Sequence, residues 1–166
     1  MSLRELLADY ATKHRDRANL AIHAVTVPLA VLGVLTLLSA LRVEVRGWGL
    51  TPAVIVVAAL IGLYLAAHVA TGVLLAAALA ALAYAADRLG LAGLAAAAAG
   101  PAMVVVAVGL QGAGHRREAV PSRFSGPGEL VGRLLREQLY LAPLFLVGRF
   151  TGFAGDDRLA ASASRS

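Results

Sequence analysis

The sequence predicts an all-α integral membrane protein: a four-helix bundle with an N-terminal interfacial helix and a C-terminal half-inserted amphipathic helix. Hydrophobic residues make up 59% of the chain, and the mean hydropathy is +0.76, whereas a soluble domain is about 45–50% apolar. Charged residues cluster outside the apolar runs instead of forming one basic face, which argues against nucleic-acid binding. The chain has no cysteine, so disulfides, thiolate nucleophiles and cysteine metal sites are excluded.

A single membrane domain is predicted over residues 1–153. Its N-terminal interfacial helix, residues 2–17, is charged but carries apolar residues at helical spacing. These are Leu3, Leu6, Leu7 and Tyr10. The run 20–41 is longer than the apolar core of about 7–15 residues in a signal peptide, and it is long enough to cross a hydrocarbon core of about 30 Å. It is therefore the first predicted span.

Three further spans are predicted at 50–68, 72–86 and 91–111. The loop before the first of them carries Trp48, a residue typical of the membrane interface. After the third span the chain is expected to turn at Asp87, Arg88 and Gly90, and such short connections predict neighbouring antiparallel helices. The Ala and Gly content of the last two spans would allow close helix packing, but a coding sequence rich in G and C would produce it equally.

The segment 129–150 begins amphipathic and ends in an apolar run that is too short to span and is expected to be broken by Pro143. This pattern predicts the half-inserted helix. The tail 154–166 is small and polar, which predicts disorder. Basic residues near the span ends predict that both termini are cytoplasmic.

The predicted topology brings all four histidines to one membrane face. These are His14, His23, His68 and His115. A neutral imidazole can donate a lone pair to a metal ion. His23 and His68 lie in or beside apolar helices, where ionisable groups are costly and usually functional. The other two could instead be solvated interfacial residues.

His14 and His23 are nine residues apart, or about 180° around a continuous helix. One ion can be reached by both only if the helix breaks between them. Asp16 or Asn19 could cap the helix that follows the break. Asn19 precedes His23 by one turn, so it could also orient that ring or contact the ligand set.

A second cluster lies at the end of the fourth span. If the helix continues, Gln111, His115 and Glu118 share one face. Glu118 could be a metal ligand, an acceptor for an imidazole N–H, or an ion-pair partner of Arg116 and Arg117.

These two clusters form motifs that can be written out in full. They are His14-x4-Asn19-x3-His23 followed by Val27-Pro28, and Gln111-x2-Gly114-His115-x2-Glu118-x2-Pro121. With them, the chain resembles a membrane family of iron(II)-dependent 2-hydroxy fatty acid dioxygenases, once a domain of unknown function, whose fungal member is in the endoplasmic reticulum. The segment Ala142-Pro143-Leu144-Phe145 is also similar. Arg117, where an aromatic is expected, and Ser122, where a small apolar residue is expected, depart from the pattern.

The resemblance implies that the four histidines bind Fe2+, with Glu118 restoring the common two-histidine, one-carboxylate set if it also binds. It implies oxidative cleavage beside C2 of a 2-hydroxy fatty acid by O2, which shortens the acyl chain by one carbon. Tyr10, Lys13, Arg116 and Arg117 are candidates to lie near the substrate, although the basic residues could serve only to set topology. The resemblance points to the endoplasmic reticulum in a eukaryote, and the Arg and Ala bias to a bacterial inner membrane.

Three other classes remain open from the residues alone. Histidine also suits zinc, so a membrane zinc hydrolase is one alternative. Paired histidines could bind haem instead. A non-enzymatic scaffold or small transporter would need no metal at all and would tolerate replacement of His23 and His68.

Overall fold

The structure, a computed structural model, describes residues 2–45, 48–91, 93–118, 132 and 135–154, and it is mostly helical. In chain order its helices and strands are α1 (Leu3–Thr12), α2 (Arg17–Ala40), β1 (Val43–Val45), β2 (Trp48–Leu50), α3 (Pro52–Ala67), α4 (Val69–Gly90), α5 (Leu94–His115), a π-helical turn (Glu137–Leu141) and α6 (Ala142–Thr151).

Three of the described helices, α2, α4 and α5, are long and apolar enough to cross a membrane. The predicted second span is realised as α3, which has only 16 residues, fewer than the roughly 20 needed for a typical hydrocarbon core. The predicted third span was too short: α4 has 22 residues. The residues 87–90, expected to turn the chain, form the last turn of α4, because Asp87 and Arg88 are tolerated at an exposed helix end.

Helix α2 packs between α4 and α5. A Cβ atom on Gly33 of α2 would lie 2.6 Å from the Gly100 carbonyl oxygen of α5, and one on Gly100 would lie 2.7 Å from the Gly33 carbonyl oxygen. The ends of α2 and α4 meet where Gly90 contacts Ser39. Small residues therefore do allow close backbone approach in this bundle, because any side chain there would collide with the facing helix.

The predicted loop between the first two spans contains a short antiparallel hairpin. Val43 pairs with Leu50 and Glu44 with Gly49. The side chain of Trp48, expected at the membrane interface, lies outside the described part of the structure. Beside the hairpin, the Arg42 guanidinium pairs with the Asp87 carboxylate. This ion pair connects the hairpin to the C-terminal turn of α4.

Helix α1 begins with a reciprocal capping box. The Ser2 amide donates to Glu5 Oε2 at 2.7 Å, and the Glu5 amide donates to Ser2 Oγ at 3.3 Å. The helix ends at Thr12, well before residue 17, and it buries Leu7 and Tyr10 against the rest of the protein.

Of the predicted helix 129–150, the structure describes residue 132 and residues 135–150. Pro143 does not break it, because this residue lies in the first turn of α6, where no intrahelical N–H donor is required. Of the tail expected to be disordered, Ala154 is buried and its amide donates to the Gly148 carbonyl at 3.1 Å. Residues 155–166 lie outside the described residues.

Candidate metal centre

The chain breaks between α1 and α2, as the spacing of the histidines predicted. Helix α1 ends at Thr12 and α2 begins at Arg17. Asp16 caps α2, because its Oδ1 accepts a hydrogen bond from the Asn19 amide at 2.8 Å. The break turns the His14 ring back toward the second turn of α2, so that His14 Nε2 lies 3.3 Å from His23 Nε2.

Three of the four histidines form one group. One ring nitrogen from each of His14, His23 and His115 lies within 4.8 Å of the others. The three rings are close to perpendicular in pairs, with interplanar angles of 84°, 72° and 79°. His14 and His23 are buried and His115 is half-buried. Three imidazoles from three separate segments thus converge on one point.

Backbone carbonyls determine which nitrogen of two rings carries the proton. His14 Nδ1 lies 2.8 Å from the Tyr10 carbonyl oxygen, and His23 Nδ1 lies 3.0 Å from the Asn19 carbonyl oxygen. A carbonyl only accepts, so each Nδ1 must be the donor. In the neutral rings both Nε2 atoms then carry lone pairs that face each other. Two facing lone pairs repel each other unless a cation lies close to both. Histidines that bind a metal ion through one ring nitrogen commonly donate the other ring N–H to a backbone carbonyl, as these two rings do.

The environment of His14 favours the neutral ring. Burial is the main cause that lowers the pKa of His14, to about 3. The hydrogen bond to the Tyr10 carbonyl acts in the opposite direction and raises this pKa, while the neighbouring histidines and Lys13 lower it further. A proton shared between the rings is therefore disfavoured near neutral pH. The donor set is suited to a metal ion.

Glu118 holds the start of α2 in place. Its carboxylate accepts from the amides of Arg15 at 3.2 Å and Asp16 at 3.1 Å, and from Asn19 Nδ2 at 2.7 Å. A carboxylate at a helix N-terminus also interacts favourably with the helix dipole. Three roles were expected for Glu118: metal ligand, acceptor for an imidazole N–H, and ion-pair partner of Arg116 and Arg117. Among the described residues Glu118 lies outside the histidine group and accepts from two main-chain amides and Asn19, so its carboxylate clamps the segment that presents His14.

Asn19 links this clamp to the metal centre. Its side chain is fully buried, its amide nitrogen donates to Glu118, and its main-chain carbonyl accepts from His23. A Cβ atom on Gly114 would lie only 2.4 Å from Asn19 Oδ1. Glycine at this position therefore lets α5 approach closely enough to bring His115 to the other two rings.

A layer of polar side chains lies one helical turn beyond the histidines. Gln111 Nε2 donates to Thr26 Oγ1 and to Gln138 Oε1, both at 2.9 Å, and Gln138 Nε2 donates back to Gln111 Oε1. Gln138 belongs to the π-helical turn, a feature often found at functional sites. Neither Gln138 nor Thr26 stands out in the sequence; for Gln138 the one signal is an amide side chain next to an apolar stretch.

Tyr10 forms one wall of the centre. Its ring stacks on His14 with 3.8 Å between centroids, and Phe145 of α6 meets it edge-on at 5.3 Å. Burial, with a smaller contribution from Glu137, raises the pKa of Tyr10. Among the basic candidates, Lys13 pairs with Asp9 at 2.6 Å, and Arg116 and Arg117 are exposed.

The structure does not bring His68 to the other three histidines. It separates α3 from α4 in an extended conformation and caps α4: its Nδ1 accepts from the Thr71 amide at 3.3 Å and lies 2.8 Å from Thr71 Oγ1. Its ring stacks on Phe153 at 4.7 Å. The sequence correctly predicted that His68 lies at a helix end, but its side chain caps α4 and does not join the histidine group.

Comparison with known proteins identifies the family of the chain. A family model described as 2-hydroxy-palmitic acid dioxygenase Mpo1-like matches residues 1–131, a range that includes all three grouped histidines and Glu118. No curated protein and no solved structure matches the chain. Since the match covers well over half of the 166 residues, the chain belongs to the Mpo1-like family, as its motifs implied.

Proposed function

We propose that this protein is an iron(II)-dependent dioxygenase that shortens 2-hydroxy fatty acids by one carbon. The observation that carries the proposal is the pair of facing Nε2 atoms of His14 and His23, 3.3 Å apart, with His115 completing the group. The family match supplies the substrate class. We assign His14, His23 and His115 as the ligands and leave His68 out of the set.

The chemistry of this ligand set fits the proposed substrate. Three neutral imidazoles leave the charge of a divalent ion uncompensated, which favours an anionic chelate such as a 2-hydroxy carboxylate. Non-haem iron oxygenases commonly use two histidines and one carboxylate with open positions. Here Glu118 is occupied by three N–H donors, so the all-histidine set is a variation in which the substrate supplies the carboxylate.

Bound iron(II) would supply the capacity to bind and activate O2 beside the chelated substrate. The overall reaction balances as a 2-hydroxy acid and O2 giving the next shorter acid, CO2 and water, with the C1–C2 bond broken. In this reaction the protein's own residues hold the histidine rings in position and shield them from water. Glu118 and Asn19 fix the rings of His14 and His23, and the stack of Tyr10 and Phe145 covers the His14 ring and keeps water from it.

The surroundings fit a lipid substrate. The three long apolar helices are consistent with a membrane protein, and the histidines lie at the ends of these helices, where a carboxylate can stay near water while its tail lies among the helices. We propose a bacterial inner membrane, with both termini cytoplasmic on the basis of the basic residues near the span ends.

The test is the metal content of the purified full-length protein, measured by inductively coupled plasma mass spectrometry after anaerobic iron loading. Wild type is compared with His23→Ala and His115→Ala, and with His68→Ala as the matched control. We expect about one iron per chain in wild type and in His68→Ala, and little or no iron in the other two variants, because each has lost one of the three proposed ligands. O2 uptake and the shortened acid are then measured with a 2-hydroxy fatty acid.

Each other result points elsewhere. Zinc in place of iron, with no O2 uptake, would favour a membrane hydrolase. A haem absorption band would favour a cytochrome. Iron lost in His68→Ala as readily as in His23→Ala would contradict the three-histidine assignment, and no metal in any sample would contradict the metalloenzyme.

A further inference from the structure

A groove separate from the histidine group runs along the bundle between α2, α4 and α6. Its volume is about 640 Å³, within the range of about 300–1,000 Å³ usual for a single-ligand site. Its walls are almost entirely aliphatic. They extend along α2 from Leu20 to Val31 and along α4 from Leu75 to Leu82, and Arg149 of α6 is also a lining residue. The Tyr64 hydroxyl, which could have made the groove polar, donates instead to the Leu139 carbonyl.

The groove is about one membrane leaflet long. From Leu20 to Val31, α2 rises about 17 Å, which compares with half of a hydrocarbon core of about 30 Å. The groove starts at the depth of the metal centre, since Ala24 lines it and directly follows His23. The two sites occupy neighbouring faces of the same helix.

Arg149 lies at the interfacial end of this groove. Thr151, in the last turn of α6, lies 2.6 Å from Thr71, in the first turn of α4, through their hydroxyl oxygens. The last turn of α6 is therefore level with the beginning of α4. The Arg149 guanidinium lies over the Phe145 ring, 5.7 Å from its centroid. Among the lining residues that the structure describes, it carries the one formal charge, and arginine stays charged at any physiological pH.

An apolar groove one leaflet long, with a permanent cation at its interfacial end, is complementary to an amphiphile that has one acyl chain and an anionic head group. We infer that this groove binds a long-chain fatty acid, with its carboxylate at Arg149 and its chain running toward Val31 and Leu82. A guanidinium recognises a carboxylate through two parallel N–H bonds, and a single chain fits a groove of this volume. The inference does not depend on the metal or on the proposed reaction, although that reaction would release a product of this class.

The test is photo-crosslinking of the purified full-length protein with a hexadecanoic acid that carries a diazirine in mid-chain, followed by peptide mapping. Ala78→Phe fills the groove from an exposed lining position. Ala80→Phe is the matched control, since Ala80 is exposed on α4 but does not line the groove. Arg149→Gln removes the charge. His23→Ala, which lacks a proposed iron ligand, separates this site from the metal centre.

We expect label on peptides from α2, α4 and α6, lost in Ala78→Phe and retained in Ala80→Phe and His23→Ala. Unlabelled hexadecanoic acid should compete better than hexadecanol or a diacyl phosphatidylglycerol, and Arg149→Gln should weaken its competition by about three- to fivefold, the effect of a partly exposed ion pair.

Three results would overturn the inference. One is label spread evenly over the outer face of α5, as bulk lipid would give. Another is equal competition by the alcohol or by the two-chain lipid. The third is loss of label in His23→Ala with retention in Ala78→Phe, which would place the acyl chain at the metal centre instead.

Discussion

At the scale of single residues, the four histidines are chemically identical but have different roles. His14 and His23 each donate from Nδ1 to a backbone carbonyl, which directs Nε2 to the shared point. His68 uses Nδ1 as an acceptor for α4. Its ring therefore serves as a helix cap. The hydrogen bond at one ring nitrogen determines what the other nitrogen can do.

The Glu118 clamp gives a prediction at this scale. Glu118→Gln keeps the shape of the side chain but places an NH2 group against a backbone or side-chain N–H, so at least one of the three hydrogen bonds is lost. We expect the free energy of unfolding to fall by about 1–3 kcal/mol and the metal affinity to fall by about tenfold, measured by thermal unfolding in detergent and by metal titration.

The control for this change is Glu44→Gln on the exposed hairpin, which removes the same charge and should leave both quantities unchanged. If Glu118→Gln abolished iron binding while leaving the melting temperature unchanged, Glu118 would be a ligand and not a clamp.

At the scale of helices, the metal centre depends on how closely α5 lies against α2. His115 is at the end of α5, far along that helix from the contact between Gly33 and Gly100. A shift at the crossing point moves the end of a rigid helix, so the centre is sensitive to packing that is remote from it. The close approach at Gly114 and Asn19 sets the same separation near the histidines.

Replacing Gly100 tests this dependence. In Gly100→Ala, the new Cβ would lie 2.7 Å from the Gly33 carbonyl oxygen, which forces the helices apart. We expect a loss of about 1–3 kcal/mol of stability from overpacking, together with weaker metal binding.

Gly109 is the matched position on the same helix, because a Cβ there would have no neighbour within 4 Å. Gly109→Ala should be neutral or stabilising by up to about 1 kcal/mol, since alanine favours helix. Equal thermal stability of the two variants would show that the α2–α5 contact is not close-packed.

At the scale of the whole molecule, α6 joins the C-terminal part of the described chain to the metal centre. Phe145 is buried and packs on Tyr10, which stacks on His14. Helix α6 also contributes to the groove. It thus closes both the metal centre and the groove, and its loss should be felt at both.

Phe145→Ala should lower stability by about 3–5 kcal/mol, the usual range for a buried phenylalanine, and should weaken iron binding because Tyr10 loses its support. Phe150→Ala, at a side chain that is 90% exposed, should change stability by less than about 0.5 kcal/mol. Thermal unfolding and metal titration of both variants provide the check. Unchanged iron affinity in Phe145→Ala would mean that α6 does not support the centre.

The sequence by itself determined the features that depend on local spacing. Apolar runs identified the three described helices that can cross a membrane, and they also predicted a fourth span where the structure has the shorter α3. The nine-residue separation of His14 and His23 required the break that Asp16 caps. Although α5 ends at His115, before Glu118, a spacing of one helical turn correctly placed Asn19 beside His23 and Gln111 beside His115. These predictions succeed because helix periodicity and capping are properties of a few neighbouring residues.

Only the tertiary structure decided which side chains meet. It excluded His68 from the histidine group, gave Glu118 three N–H partners 99 to 103 residues away, and brought Gln138 to Gln111. It also formed the groove ending at Arg149. The physical reason is that these contacts depend on where rigid helices cross, and crossing points such as Gly33 with Gly100 are set by packing between distant segments of the chain.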